Sequence, residues 1–380
     1  MVQCYVVILI FVSVFAVSGQ SSLTASVVHD RHTIQSTVLG EERTVLVKVP
    51  PSYGNGDQKY PVVFMLDAHA PQNAMMAGLL EQQAWGRMIP EMILVGIQNT
   101  NRLRDLSPTK TDRAGSGGGA KFLEFIEKEV VPVVEKNYRT HPYRIIAGHS
   151  LGGLFAVYSF VARPDIFNGY IAASPSLDWD HGYVLKQAEG VFREKKDWKK
   201  VMFVGLGDEP EYVAGFDSFR EIIKKSDPKG LSSEFRRFPD ENHSSVVLPA
   251  YYAGLRKVFE GWSPPRSGSV SDLENHYEKL TKRFGYFIPI PENLLNQIGY
   301  ELLAGNKAAE AIDIFRKNVN LYPSSANVYD SLAEAFERNG QLKESEENYR
   351  KALKLAEASG DADLVRAVNA NLDRIKIKMR

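Results

Sequence analysis

Cysteine is almost absent from this chain: there is one in 380 residues, Cys4. That excludes a disulfide framework, a thiolate metal site and a cysteine nucleophile, and it leaves an oxidising compartment open to the protein. Net charge is absent as well, with 46 Lys plus Arg against 46 Asp plus Glu and no basic block. A nucleic-acid partner would require a basic footprint, so none is expected, and nothing in the charge draws the surface to a membrane. His-Glu-x-x-His and paired-cysteine spacings are missing, so neither a metal nor another cofactor is expected. No apolar run reaches the ~20 residues of a spanning helix. The run at residues 4–17 has signal-peptide length and is followed by Ser18, Gly19 and Gln20. No Lys or Arg precedes it. Even so, residues 1–19 are expected to be a cleaved signal, giving an exported chain, periplasmic or secreted, with no membrane span once mature.

What is present is an ordinary globular balance, 44% apolar and 24% charged, in a length that suggests two domains. Between Glu42 and Trp262, apolar runs of strand length alternate with helical stripes. Residues 61–67, 92–97, 144–148, 169–173 and 201–206 are apolar nearly throughout, and residues 44–49 alternate. Strands apolar on both faces belong inside a parallel sheet covered by helices. Phe122, Phe125, Ile126, Val130 and Val133 give one helix its buried stripe. The expected fold is α/β: a doubly wound, mostly parallel sheet over residues 20–265, followed by a linker or helix at 266–290 and a small all-α unit at 291–380. In that last unit a period of 34 residues pairs Ile298 with Leu332, Gly299 with Ala333, Leu302 with Phe336 and Phe315 with Tyr349. Such helix–turn–helix units resemble tetratricopeptide repeats, with a closing helix at 361–379 and a surface suited to a protein partner. Two repeats are too few to stand alone, so packing on the first domain is expected. The Gly/Ser cluster at residues 115–119 reads as a flexible loop; it lacks the Lys-Ser/Thr ending of a phosphate-binding loop.

The chemistry centres on Gly148, Ser150 and Gly152, a Gly-x-Ser-x-Gly pattern between an apolar strand and a helix. This is the pattern of a nucleophile elbow, in which glycines permit a turn too tight for a Cβ and the serine hydroxyl stands clear of the sheet. Serine needs a base, and in this fold the order is Ser, acid, His. His243, in a polar loop ahead of the last helix of the domain, fits that order; His181 comes too early and His276 too late. The acid is expected on the turn after residues 201–206, where Asp208, Glu209 and Glu211 compete and Glu209 ranks first. Leu151 N–H would supply one oxyanion donor and His69 N–H the second, with Asp67 as a substrate-hydroxyl acceptor or a turn cap.

Taken in order, the motifs resemble the enterochelin-esterase-like family of α/β hydrolases, relatives of feruloyl and acetyl-xylan esterases and of mycolyltransferases. They are Tyr60-Pro-Val-Val-Phe-Met-Leu-Asp67, Val95-Gly-Ile-Gln-Asn99, the segment from Arg102 to Thr109, Gly148 to Gly153, Ser174-Pro-Ser176 with Trp179, and Glu241-Asn-His243. The resemblance implies catalytic roles for Ser150 and His243. It also makes the turn of Asp67 and His69 the oxyanion and substrate contact, and Arg102, Arg104 and Asp105 structural or pocket residues. Ala68 departs from the family's usual glycine. The expected activity is hydrolysis of a bulky small-molecule or polymer-linked ester, either a siderophore lactone or an acyl or feruloyl ester of a saccharide. Acyl transfer to a sugar hydroxyl, and a non-catalytic repeat-based binding protein, are the competing readings.

Overall fold

The computed structural model describes residues 29–54, 56–193, 197–265 and 269–380; the expected signal segment lies outside them. Eight strands form one sheet: β1 (Asp30–Ser36), β2 (Glu41–Lys48), β3 (Tyr60–Met65), β4 (Ile93–Ile97), β5 (Thr140–His149), β6 (Gly169–Ala173), β7 (Lys200–Leu206) and β8 (Leu231–Arg237). Their order is β1-β2-β4-β3-β5-β6-β7-β8, with β2 antiparallel to both neighbours and every other pair parallel. β3, β4 and β6 are buried along their whole length, which is why their sequences are apolar without alternation. β1 and β8 lie at the two edges with polar, partly exposed residues, so no hydrophobic pattern announced them.

Helices cover both faces. α1 (Ala70–Trp85) follows β3, α2 (Arg102–Leu106) follows β4, and α3 (Gly119–Phe125) runs through a π turn into α4 (Val131–Asn137). Then come α5 (Leu151–Ala162), α6 (Trp179–Arg193), α7 (Pro210–Ser226) and α8 (Val247–Val258). Alternate residues of β3 serve opposite cores: Val62 and Phe64 pack with Phe122, Leu154, Val184 and Phe216, whereas Val63 and Met65 pack with Met76, Tyr251 and Leu255. Residues 115–119 are less free than their composition suggests. Gly117 N–H donates to Ser107 Oγ, Gly118 N–H to Arg104 O and Gly119 N–H to Ser107 O, which ties the loop to α2.

Beyond the sheet the chain is helical: α9 (Val270–Phe284), α10 (Glu292–Ala304), α11 (Ala308–Leu321), α12 (Ala326–Arg338), α13 (Leu342–Ser359) and α14 (Ala362–Lys378). α9 is no free linker. Its Phe284 stacks on Phe259 at 5.3 Å and meets Tyr143 of β5 at 5.0 Å, and Leu295 of α10 and Ile314 of α11 join the same core. The helix pairs α10–α11 and α12–α13 start 34 residues apart, and α14 closes them with Val368, Leu372 and Ile375 against Tyr329 and Tyr349.

Candidate active site

β5 ends at His149 and α5 begins at Leu151, so Ser150 alone makes the turn, with φ +58° and ψ −118°. A left-handed φ in a non-glycine residue costs about 1–3 kcal/mol and persists only where the surroundings impose it. Here they do: a Cβ on Gly148 would stand 2.2 Å from Gly152 O, so the two limbs of the turn can close only around glycine. Leu154 N–H is the first amide of α5 to find a helical carbonyl, Ser150 O at 2.9 Å, which leaves Leu151 N–H without one. The Ser150 hydroxyl makes no hydrogen bond among the described residues and lines a cleft of about 800 Å³ with Leu151, Trp179, His181 and Tyr212.

Glu209, the residue before α7, is buried at 3% exposure. Its Oε1 accepts from Ser174 Oγ and from Gly207 N–H at 3.2 Å, and its Oε2 faces His243 Nδ1 in a short hydrogen bond. Asp208 and Glu211 are exposed, so of the three competing acids it is Glu209 that the fold brings to His243. The loop carrying His243 is tied to the acid turn by Asp208 N–H donating to Glu241 O at 2.6 Å. Tyr212 stacks on one side of the His243 ring, 5.1 Å away and 9° from parallel, and His149 meets it at 4.6 Å. Burial, reinforced by the neighbouring His243, lowers the His149 pKa to about 4, so its ring is neutral at pH 7. His276, on α9, contacts Trp262 O instead. Ser174 and His149 lie inside motifs that carried the resemblance but had no role assigned to them, and Tyr212 carried no sequence signal beyond its proximity to the acid turn.

The turn after β3 differs from expectation in two respects. Asp67 (φ +56°) is not an open acceptor: Arg102 holds its carboxylate in a fork, Nε to Oδ1 at 2.7 Å and Nη2 to Oδ2 at 2.9 Å, and Asn99 Nδ2 adds a third donor. The geometry makes Asp67 an anchor for Arg102, whose Nη2 also reaches His149 O at 3.3 Å. His69 N–H is engaged within its own turn, donating to Asp67 O at 2.8 Å, and so is not free to meet an oxyanion in this state. Ala68, in the family's glycine position, needs no left-handed backbone; its buried Cβ packs where β4 has Gly96, and a Cβ on Gly96 would come within 2.8 Å of it.

Behind Arg102 lies a buried ionic network. Arg43 of β2 is fully buried, donates to Asp105 Oδ2 at 2.5 Å and to Gln98 O at 3.0 Å, and sits against Phe122 and Phe125. Arg104 links Asp105 to Glu41, and hydrogen bonding from Arg104 lowers the Glu41 pKa to about 2. The network fixes α2 and so aims Arg102 at Asp67. Arg43 was legible after all, since it shares the inward parity of Val45 and Val47 on an alternating strand. Among the described residues, no group of three or more His, Cys, Asp or Glu side chains is arranged to hold a metal ion, and no helix is long and apolar enough to cross a membrane.

The strand order, the elbow and the acid–imidazole pair at the carboxyl edge of the sheet define an α/β hydrolase. The profile of the family described as "Putative esterase" matches residues 36–204. The ferri-bacillibactin esterase BesA of Bacillus subtilis is 30% identical over 238 residues, which cover 54% of this chain and 80% of that one. An IroE-like serine hydrolase from Shewanella oneidensis superposes with a TM-score of 0.70 at 28% identity, over 77% of this chain and 99% of its own. An uncharacterised Capnocytophaga ochracea protein shares the fold over 92% of this chain and 99% of its own, at 17% identity and a TM-score of 0.61. The chain belongs to this enterochelin-esterase-like family of α/β hydrolases and is an ester hydrolase.

Proposed function

We propose that the protein is a serine esterase that cleaves a bulky ester through an acyl-enzyme, with Ser150 as nucleophile, His243 as base and Glu209 as the orienting acid. The Ser150 oxygen adds to the ester carbonyl as its proton passes to His243 Nε2. Glu209, held by Ser174 and Gly207, keeps His243 Nδ1 protonated and offsets the imidazolium charge. Leu151 N–H faces the developing oxyanion, and a second donor would come from the His69 turn once substrate displaces its internal bond. Collapse expels the alcohol with the proton from His243, and water repeats the sequence to release the acid. Catalytic hydrogen bonds in an empty site are often completed only when substrate arrives, consistent with a Ser150 hydroxyl that has no partner here.

The observation that carries this reading is the strained Ser150 turn beside the Glu209–His243 pair: His149, the residue before Ser150, meets the His243 ring at 4.6 Å, and Tyr212, which stacks on that ring, lines the cleft with Ser150. Relatives named as siderophore esterases, together with an uncovered cleft, support a bulky substrate: a siderophore lactone, or an acyl or feruloyl ester of a saccharide. Residues 1–19 would direct export, and the helix pairs α10–α11 and α12–α13 would be tetratricopeptide repeats that offer a surface to a protein partner. The test is p-nitrophenyl acetate hydrolysis and labelling by a serine-directed phosphonate. Ser150→Ala is expected to abolish both while the thermal midpoint is kept; retained turnover in Ser150→Ala would refute the reading.

A further inference from the structure

One wall of the cleft that holds Ser150 has a backbone without parallel among the described residues. Asp180, His181 and Gly182 follow one another in the left-handed region, with φ of 48°, 53° and 73° and ψ of 56°, 38° and 35°. L-residues visit that region singly, because the Cβ crowds the following carbonyl oxygen, and a run of three survives only if its flanks over-determine it. Ser176 N–H donates to the carbonyl of the nucleophile itself, Ser150 O, at 3.2 Å, and Trp179 N–H donates to Ser176 O at 3.2 Å. The Trp179 indole is buried, and its Nε1–H reaches Thr109 Oγ1 at 3.1 Å. Gly182 N–H closes the turn on Asp178 O at 3.3 Å, and Val184 is buried in the core just beyond. The turn is thus tethered to the elbow at one end and to the core at the other.

What this strain achieves is display. Asp180 and His181 both line the cleft, and neither side chain has a hydrogen bond or ion pair among the described residues. Carboxylates outnumber guanidiniums in the lining of the cleft by one. Asp112, Asp178 and Asp180 line it with two arginines; Arg102 already answers Asp67, and Arg113 lies over the Trp179 ring at 5.4 Å. Free carboxylates accept hydroxyl and amide hydrogens and oppose anions.

We infer that the left-handed turn at residues 180–182 is the specificity element of this hydrolase, and that Asp180 and His181 hold an uncharged, hydroxyl-bearing part of the ester. The inference rests on the reading of Ser150 as the nucleophile. It narrows the substrate class toward a neutral saccharide ester and away from a polyanionic metal chelate. Asp180 and His181 are positioned to touch substrate and take no part in bond breaking.

The experiment compares kcat/KM for a monoacetylated methyl xyloside with kcat/KM for p-nitrophenyl acetate, which has no hydroxyl, in the full-length protein. Because both values come from one preparation, their ratio is insensitive to the fraction folded. Asp180→Ala and His181→Ala are each expected to lower the ratio about tenfold, on the scale of one hydrogen bond, and chiefly through KM of the xyloside. Asn tolerates the left-handed backbone and still hydrogen-bonds, so Asp180→Asn and His181→Asn should recover part of the loss. A turn that only supported the fold would depress both substrates alike; an unchanged ratio in both alanine variants overturns the inference. So does a wild-type preference for a trianionic ferric catecholate lactone over the xyloside. If the wild type releases no p-nitrophenol at all, the esterase reading itself fails and takes this inference with it.

Discussion

The carboxyl edge of the sheet and the helical tail solve opposite problems. Along the sheet edge, Asp67, Ser150, Ser174, Asp180 and His181 all hold positive φ; in the tail only Asn306 does, apart from glycines next to helix ends. Each part also holds a buried charge in an ionic cluster, but for different ends. Arg43 with Asp105 braces the short helix that carries Arg102, whereas Glu337, bonded to Arg374 and Lys378, fastens the last helix, α14, to α12. Five of the nine non-glycine residues with positive φ among the described residues lie along the sheet edge; Arg87, Lys199 and Asp227 lie elsewhere in the sheet domain. The helix pairs need little backbone strain, because their residues stay in the ordinary helical region.

The contrast is open to attack, beginning where the effect is largest. Glu209→Gln should lower kcat for ester hydrolysis by about 10³–10⁴-fold, as loss of an orienting carboxylate does, whereas the exposed Glu211→Gln should stay near wild type; equal losses would erase the special standing of the sheet edge. Next is the seam between the two parts. Phe284→Ala removes a ring that touches Tyr143, Phe259 and Trp262, and should cost about 3–5 kcal/mol. Calorimetry should show the whole protein melting earlier; a shift confined to a separate tail transition would mean that the parts are energetically independent. Within the tail, Gly299→Ala would drive a Cβ to 2.4 Å from the Phe315 ring and should cost about 1–3 kcal/mol, although the equivalent position in the second helix pair already carries Ala333.

The acid response is the most distributed effect. His141 and His149, both on β5, have folded pKa values lowered to about 4 from 6.5, so the unfolded chain binds the extra protons. Stability from these two residues is intact above pH 6.5, falls as pH drops and levels off below about 4. Glu41 and Glu337, lowered to about 2 from 4.5, contribute stability above pH 4.5 that is lost on the way to pH 2. Thermal midpoints across pH should therefore fall in two stages. His141→Asn and His149→Asn should flatten only the first, and a first stage unmoved by both variants would sink this account.

How much of this was legible in the amino-acid order follows from which forces are local. Continuous apolar runs announced β3, β4, β5, β6 and β7 because burial on both faces imposes one residue type. The glycines around Ser150 declared a turn that no Cβ can enter, and the 34-residue period marked the paired helices. β1 and β8 stayed hidden because an edge strand needs only main-chain bonds, which any side chain permits. Asp208, Glu209 and Glu211 are near-equivalent in sequence; burial of Glu209 beside Ser174 and His243 separates them, and that depends on where β6, β7 and a distant loop meet.

By itself, then, the sequence determined a doubly wound hydrolase with a serine elbow and a repeat-like tail, since periodicity and glycine placement act over a few residues. Only the tertiary structure decided that Arg102 occupies Asp67, that His69 N–H is held within its own turn and that Asp180 and His181 stand left-handed in the cleft. Those outcomes are set by atoms far apart in the chain, through distances and packing that no local pattern encodes.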